Sequence, residues 1–190
     1  MFRFFLTAIL LLAFTGLSSA QQPKGGAQPV APQAAPSVAA APKEVATFGD
    51  WTAYTVQNSK GRSCYLVSKP ASSEPAGAKR DPVYMFVTHR PQENVRNEIS
   101  ITIGYPFKDG SRGSFEIVGT GNQSYVLVTN GPGAWLENPA QETPVVEELR
   151  KAREIVVKGT SRRGTNTTDR FSLTGFSEGI ERIAQECTKP

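Results

Sequence analysis

The chain has 190 residues, of which 38% are hydrophobic and 20% charged, with 17 Gly, 14 Pro, 2 Cys and a single His. One His and two Cys exclude multi-ligand zinc, haem and iron–sulfur chemistry, and no metal site or cofactor is expected. The formal charge of +4 falls to +3 without Arg3, too weak for strong global steering of anions.

Residues 1–20 read as a secretory signal. Arg3 supplies the basic n-region, residues 4–17 a short apolar core, and Ser18-Ser19-Ala20 the small residues before the cleavage site. The core is broken by Thr7, Thr15 and Gly16 and falls short of the ~20 apolar residues of a comfortable span. No second apolar run of that length follows, so no transmembrane span is expected after cleavage. Export is expected, to the periplasm or the outer surface of a Gram-negative cell. Residues 21–44 are largely Gln, Pro, Ala and Gly, a composition that cannot offset its ordering entropy by burial. They read as a disordered linker, and residues 45–190 as a single folding unit of about 145 residues, large enough to bury ~70% of its unfolded surface.

Within that unit the apolar alternation is clearest at Ile99, Ile101, Ile103, Tyr105 and Phe107. Short β-branched and aromatic runs also appear at 51–56, 64–68, 83–89, 114–118, 124–129, 155–159 and 170–174. Turn signals separate them at Asn58-Ser59-Lys60-Gly61, Asp109-Gly110, Gly119-Thr120-Gly121-Asn122 and Asn130-Gly131-Pro132-Gly133. The pattern predicts an all-β fold, an antiparallel β-sandwich of about eight short strands with two short helices. One helix precedes the last strands, capped by Thr143 with Pro144 at its first position and Val145, Val146, Leu149 and Ala152 on one side. The other is C-terminal, capped by Ser177, with Ile180, Ile183, Ala184 and Cys187 on its buried face.

Cys64 and Cys187 are the only thiols, and export sends both to an oxidising compartment, so they are expected to pair. The bridge closes a loop of more than 120 residues, which the chain-entropy model values at about 4 to 5 kcal/mol.

His89 is the only possible base for a Ser/His/Asp arrangement, but no Gly-x-Ser-x-Gly elbow accompanies it. Gly159 and Gly164 have the spacing of a phosphate loop, yet Thr165 stands where its lysine belongs. Arg150, Lys151, Arg153, Lys158, Arg162, Arg163 and Arg170 crowd the last third of the chain. Glu147, Glu148, Glu154 and Asp169 are interleaved with them, and no aromatic residues alternate as a nucleic-acid platform requires. The alternatives are a solvated mixed-charge face or a contact patch centred on Arg162 and Arg163, with Lys158 and Arg170 beside them. Asp169 is a candidate partner for Arg162 or for a backbone amide, either of which would fix the turn.

One stretch is distinctive: Gly159-Thr160-Ser161-Arg162-Arg163-Gly164-Thr165-Asn166-Thr167-Thr168-Asp169-Arg170-Phe171-Ser172-Leu173-Thr174-Gly175-Phe176. With Phe48-Gly49-Asp50-Trp51, Cys64-Tyr65, the run from Tyr84 to Pro91, Gly104-Tyr105-Pro106-Phe107, Ala134-Trp135-Leu136 and Cys187, it resembles the invasion-associated locus B family of alphaproteobacteria. The resemblance covers residues 46–188. It implies an exported cell-envelope β-sandwich, with some members linked to host-cell invasion and virulence, and it supplies no catalytic residue. Early and late family cysteines match Cys64 and Cys187. The expected function is a non-enzymatic binding or interaction module, its partner an unknown protein or an anionic envelope or host-surface ligand, not nucleic acid. The alternatives are a structural envelope component and an envelope hydrolase using His89.

Overall fold

The computed structural model describes residues 40–119 and 121–189. The expected signal segment and most of the expected linker lie outside the described residues. Among those described, no helix is long and apolar enough to cross a membrane.

Eleven strands form one antiparallel sheet. They are β1 (Lys43–Phe48), β2 (Trp51–Asn58), β3 (Gly61–Ser68), β4 (Ser72–Glu74), β5 (Tyr84–Arg90) and β6 (Val95–Thr102), followed by β7 (Gly113–Val118), β8 (Ser124–Asn130), β9 (Gly133–Leu136), β10 (Glu154–Thr160) and β11 (Asn166–Ser172). Helix α1 (Glu142–Leu149) lies between β9 and β10, and α2 (Phe176–Thr188) follows β11. The spatial order is β1-β2-β3-β5-β6-β9-β8-β7-β10-β11-β4.

That order requires the sheet to roll over on itself. Strand β4 follows β3 after only Lys69, Pro70 and Ala71, a link that spans about 14 Å at most, yet it pairs with β11 at the far edge. The rolled sheet encloses a sandwich-like core whose residues follow the strand period of two. Met85 and Val87 on β5, Ile99 and Ile101 on β6, Phe115 and Ile117 on β7 and Phe171 on β11 are all buried. Helix α2 packs against β2, β3 and β5, and α1 against β6.

The eight expected strands are all present, and β1, β4 and β9 are additional. Each lacked a readable signal: β1 is an edge strand without full burial at any position, β4 is Ser-Ser-Glu, and β9 has four residues directly after a turn. Strand β1 begins at Lys43, within the last residues of the segment expected to be linker. The run expected to continue to Phe107 leaves the ladder after Thr102, because Gly104 takes a left-handed conformation (φ +78°) with its Cα against the Asp81 backbone.

Both expected helix caps are different in the structure. Helix α1 is entered from a 3₁₀ turn (Pro139–Gln141) capped by the Asn138 side chain, and the Thr143 hydroxyl instead accepts a hydrogen bond from Asn97 Nδ2 at 3.1 Å. Gly175 (φ +84°) stands at the start of α2, and the Ser177 hydroxyl donates to the Arg150 carbonyl at 3.3 Å. A Cβ on Gly175 would meet the Phe48 carbonyl at 2.1 Å, so this turn and the Phe48-Gly49-Asp50-Trp51 turn touch backbone to backbone. The Asp50 N–H donates to the Thr174 carbonyl (3.1 Å), Trp51 Nε1 donates to the Ser172 carbonyl (2.9 Å), and the Trp51 and Phe176 rings meet edge to face. The Phe48-Gly49-Asp50-Trp51 motif and the end of the long 159–176 motif are therefore halves of one junction.

Cys64 and Cys187 form a disulfide with a Cα–Cα distance of 5.8 Å, joining β3 to the last turn of α2 across 123 residues. Arg62 reinforces that end of the helix by donating to the Glu186 and Lys189 carbonyls (3.2 and 3.4 Å), the first of which also accepts the Lys189 N–H at 3.4 Å.

Candidate functional site

Strands β10 and β11 pair without interruption from Glu154↔Ser172 to Thr160↔Asn166, leaving a five-residue tip, 161–165. The tip is fixed by its own hydrogen bonds. The Ser161 N–H donates to the Thr165 carbonyl, the Gly164 N–H to the Ser161 carbonyl, and the Thr165 N–H to Ser161 Oγ. Gly164 supplies the left-handed residue (φ +83°) that the turn needs. The segment after β6 braces the tip, through Arg162 N–H to the Pro106 carbonyl (3.0 Å) and Lys108 N–H to the Thr160 carbonyl (2.9 Å).

Between the tip, this brace and the loop after β4 lies a groove of about 660 Å³, lined among others by Lys79, Arg80, Tyr105, Pro106, Arg162 and Arg163. Asp81 is the only carboxylate on its wall. Arg162 is 65% exposed, and its ion-pair partner, Asp109, is 3.8 Å away. Arg163 and Lys79 are exposed, without an ion pair among the described residues. A pair as open and long as Arg162–Asp109 leaves the guanidinium available.

Beneath the groove, Arg80 and Asp169 form a buried ion pair, 7% and 0% exposed. Arg80 donates two hydrogen bonds to the carboxylate, Ser73 Oγ donates a third at 2.6 Å, and Arg80 also reaches the Ile103 carbonyl at 3.1 Å. Tyr105 packs near the same guanidinium and its hydroxyl is 2.6 Å from Thr167 Oγ1. The expected Asp169–Arg162 pair is absent. Strand alternation turns Asp169 inward with Thr167 and Phe171, whereas Arg162 projects from the tip. Arg80 was not legible as a site residue because it stands in a loop with no period.

The four-residue patch divides in two. Arg162 and Arg163 line the groove, whereas Lys158 is held by Glu116 (2.8 and 3.0 Å) and Arg170 by Glu154 (2.9 Å) on the outer face of the hairpin.

His89 closes the end of β5, 4% exposed, where the register shifts against β6 between Thr88 and Arg90. Its Nδ1 accepts the Asn97 N–H at 3.1 Å, in place of a ladder bond lost at the shift, and Asn97 itself is left-handed (φ +61°). Burial, and secondarily the Arg96 charge, lower its pKa to about 4, so the ring is neutral at ordinary pH. With Nδ1 accepting, the proton is on Nε2, which has no partner. A triad base needs the opposite tautomer, with Nδ1–H donating to a carboxylate. Cys64, opposite His89 in the ladder, is in the disulfide and offers no thiol. Among the described residues no group of three His, Cys, Asp or Glu side chains is placed to hold a metal.

A model of the Invasion associated locus B (IalB) protein family matches residues 51–184. Among solved structures, the chain is similar to the crystal structure of invasion associated protein b from Bartonella henselae, with a TM-score of 0.52 and 15% sequence identity over 76% of this chain and 98% of that one. At that identity the likeness concerns the fold alone. No curated protein matches this chain. The family match runs from Trp51 in the N-terminal half of the junction to Ala184 in α2 and takes in the whole β10–β11 hairpin. By that match, over well more than half its length, the chain belongs to the Invasion associated locus B (IalB) family.

Proposed function

We propose that the protein is an exported, non-enzymatic binding module of the cell envelope, periplasmic or at the outer surface, whose groove under the β10–β11 tip engages an anionic envelope or host-cell ligand. The observation that carries this reading is the convergence of Lys79, Arg162 and Arg163 on one groove with a single carboxylate in its wall. Electrostatic complementarity of that kind gives specificity and a fast on-rate at a polar surface. The basic n-region, short apolar core and small residues of 1–20 support export. The family is not a known enzyme family, and the tautomer of His89 argues against the hydrolase alternative. A role in host-cell invasion rests on the name of the family and of the Bartonella protein.

Affinity capture with the oxidised protein from cell-envelope extract and from host-cell membranes, at low and moderate salt, tests the reading. A partner is expected that elutes with salt and is lost with Arg162→Ala/Arg163→Ala. Capture that is indifferent to salt and survives the double substitution removes the groove as the contact.

A further inference from the structure

A second cavity, at the opposite end of β6 from the groove and independent of it, has a volume of about 330 Å³. One wall is the last turn of α2, through Ala184 and Cys187, and the other is the turn from β5 into β6, through His89, Pro91, Val95 and Arg96. The walls are fixed in place. Cys187 is bonded to Cys64, and Cys64 is the ladder partner of His89, so the disulfide ties the helix wall to the strand that carries the ring.

The lining combines three properties. Pro91, Val95, Ala184 and the disulfide present an apolar surface. Arg96 is the only charged residue of the lining, exposed and without an ion pair among the described residues. His89 contributes a buried Nε2–H without an acceptor, whereas the Thr188 hydroxyl nearby is already satisfied by the Gln185 carbonyl. A buried donor without an acceptor is costly, and a ligand oxygen that relieves it gains accordingly. The negative end of α2, which would oppose an anion, is answered by the Arg62 guanidinium on its carbonyls.

We propose that this cavity binds a small monocarboxylate with an apolar body, the carboxylate meeting Arg96 and the His89 Nε2–H and the body lying against Pro91, Val95, Ala184 and the disulfide. One free cation, Arg96, with neutral donors on His89 and Asn94 matches a monoanion with two oxygens, and the volume is at the small end of ligand sites.

Because the chain has one imidazole, its NMR signals report this cavity without overlap. The oxidised protein is titrated with octanoate and, in parallel, with 1-octanol. Octanoate is expected to shift the His89 ring signals saturably at millimolar concentration, with octanol at least about tenfold weaker. Arg96→Ala is expected to weaken octanoate by about tenfold and leave octanol unchanged, as loss of one charge-assisted contact predicts. Ala184→Phe, which fills the cavity, is expected to abolish the His89 shift with the melting curve retained. No saturable shift with octanoate overturns the proposal. So does equal binding of octanol that Arg96→Ala does not alter, or octanoate binding that survives in a folded Ala184→Phe variant.

Discussion

His89 and the half-buried Glu142 of α1 are displaced from their usual titration ranges in ways that oppose each other. His89 is lowered from 6.5 to about 4, chiefly by burial, so between those values the unfolded chain binds more protons and stability is lost as pH falls. Glu142 is raised from 4.5 to about 7, chiefly by burial and further by Glu98, against a backbone hydrogen bond at Ile99 and the Arg90 charge. Between those values the folded chain binds more protons, and stability is lost as pH rises. Over roughly pH 4.5 to 6.5 the two contributions cancel in part. Urea midpoints measured across that window should show Glu142→Gln with a steeper rise of stability with pH than the parent, and His89→Gln with the reverse. Parallel profiles for all three proteins, or a His89 ring that titrates near its ordinary value by NMR, would contradict the assignment. His89 was legible in the sequence as a lone imidazole at a strand end, but its role was not. The register shift that turns Nδ1 into an acceptor depends on a left-handed Asn97 eight residues later.

At the scale of elements, β4 shows how a strand without apolar residues is held. Its three residues pair with β11, and Ser73 reaches Asp169, whose carboxylate is also the anchor of Arg80. Asp169→Ala leaves the Arg80 guanidinium buried without its partner and should cost about 3 to 5 kcal/mol in chemical denaturation. Arg80→Met with Asp169→Leu should recover much of that loss, since removing both charges removes the desolvation cost as well. A cost below about 1 kcal/mol for Asp169→Ala would show that the pair does not hold this edge. The strands with clean alternation, such as 99–103 and 83–89, were legible because burial of one face imposes the period directly. Strands β1, β4 and β9 were not, since an edge strand or one of only three or four residues is specified by its neighbours rather than by its own pattern. The caps of α1 and α2 escaped for a related reason. Gly175 is demanded by the approach of the Phe48 carbonyl from a turn more than 120 residues earlier, a contact that no local signal reports.

For the whole molecule, the disulfide was legible because a chain with two cysteines, expected to be exported, has one possible pairing. Its loop of 123 residues places it among the larger single contributions to stability, about 4 to 5 kcal/mol in the chain-entropy model. The strand order was not legible, as β4 pairs at the edge farthest from its neighbour in sequence. The candidate site was legible by half. Arg162 and Arg163 stood out in a turn, but Lys79 and Arg80 come from a loop some 80 residues earlier, and only the roll of the sheet brings them beside Tyr105 and the tip. The same roll separates these arginines from Lys158 and Arg170, which the sequence grouped with them and the structure pairs with Glu116 and Glu154. That division gives the central claim its most direct test, the affinity of the oxidised protein for heparin, a soluble polyanion, as a function of salt. Arg162→Ala/Arg163→Ala should lose about tenfold or more at low salt with a shallower salt dependence, while Lys158→Ala/Arg170→Ala stays within about twofold of the parent. Equal losses in the two variants, or undiminished binding in the first, would contradict a binding site at the tip.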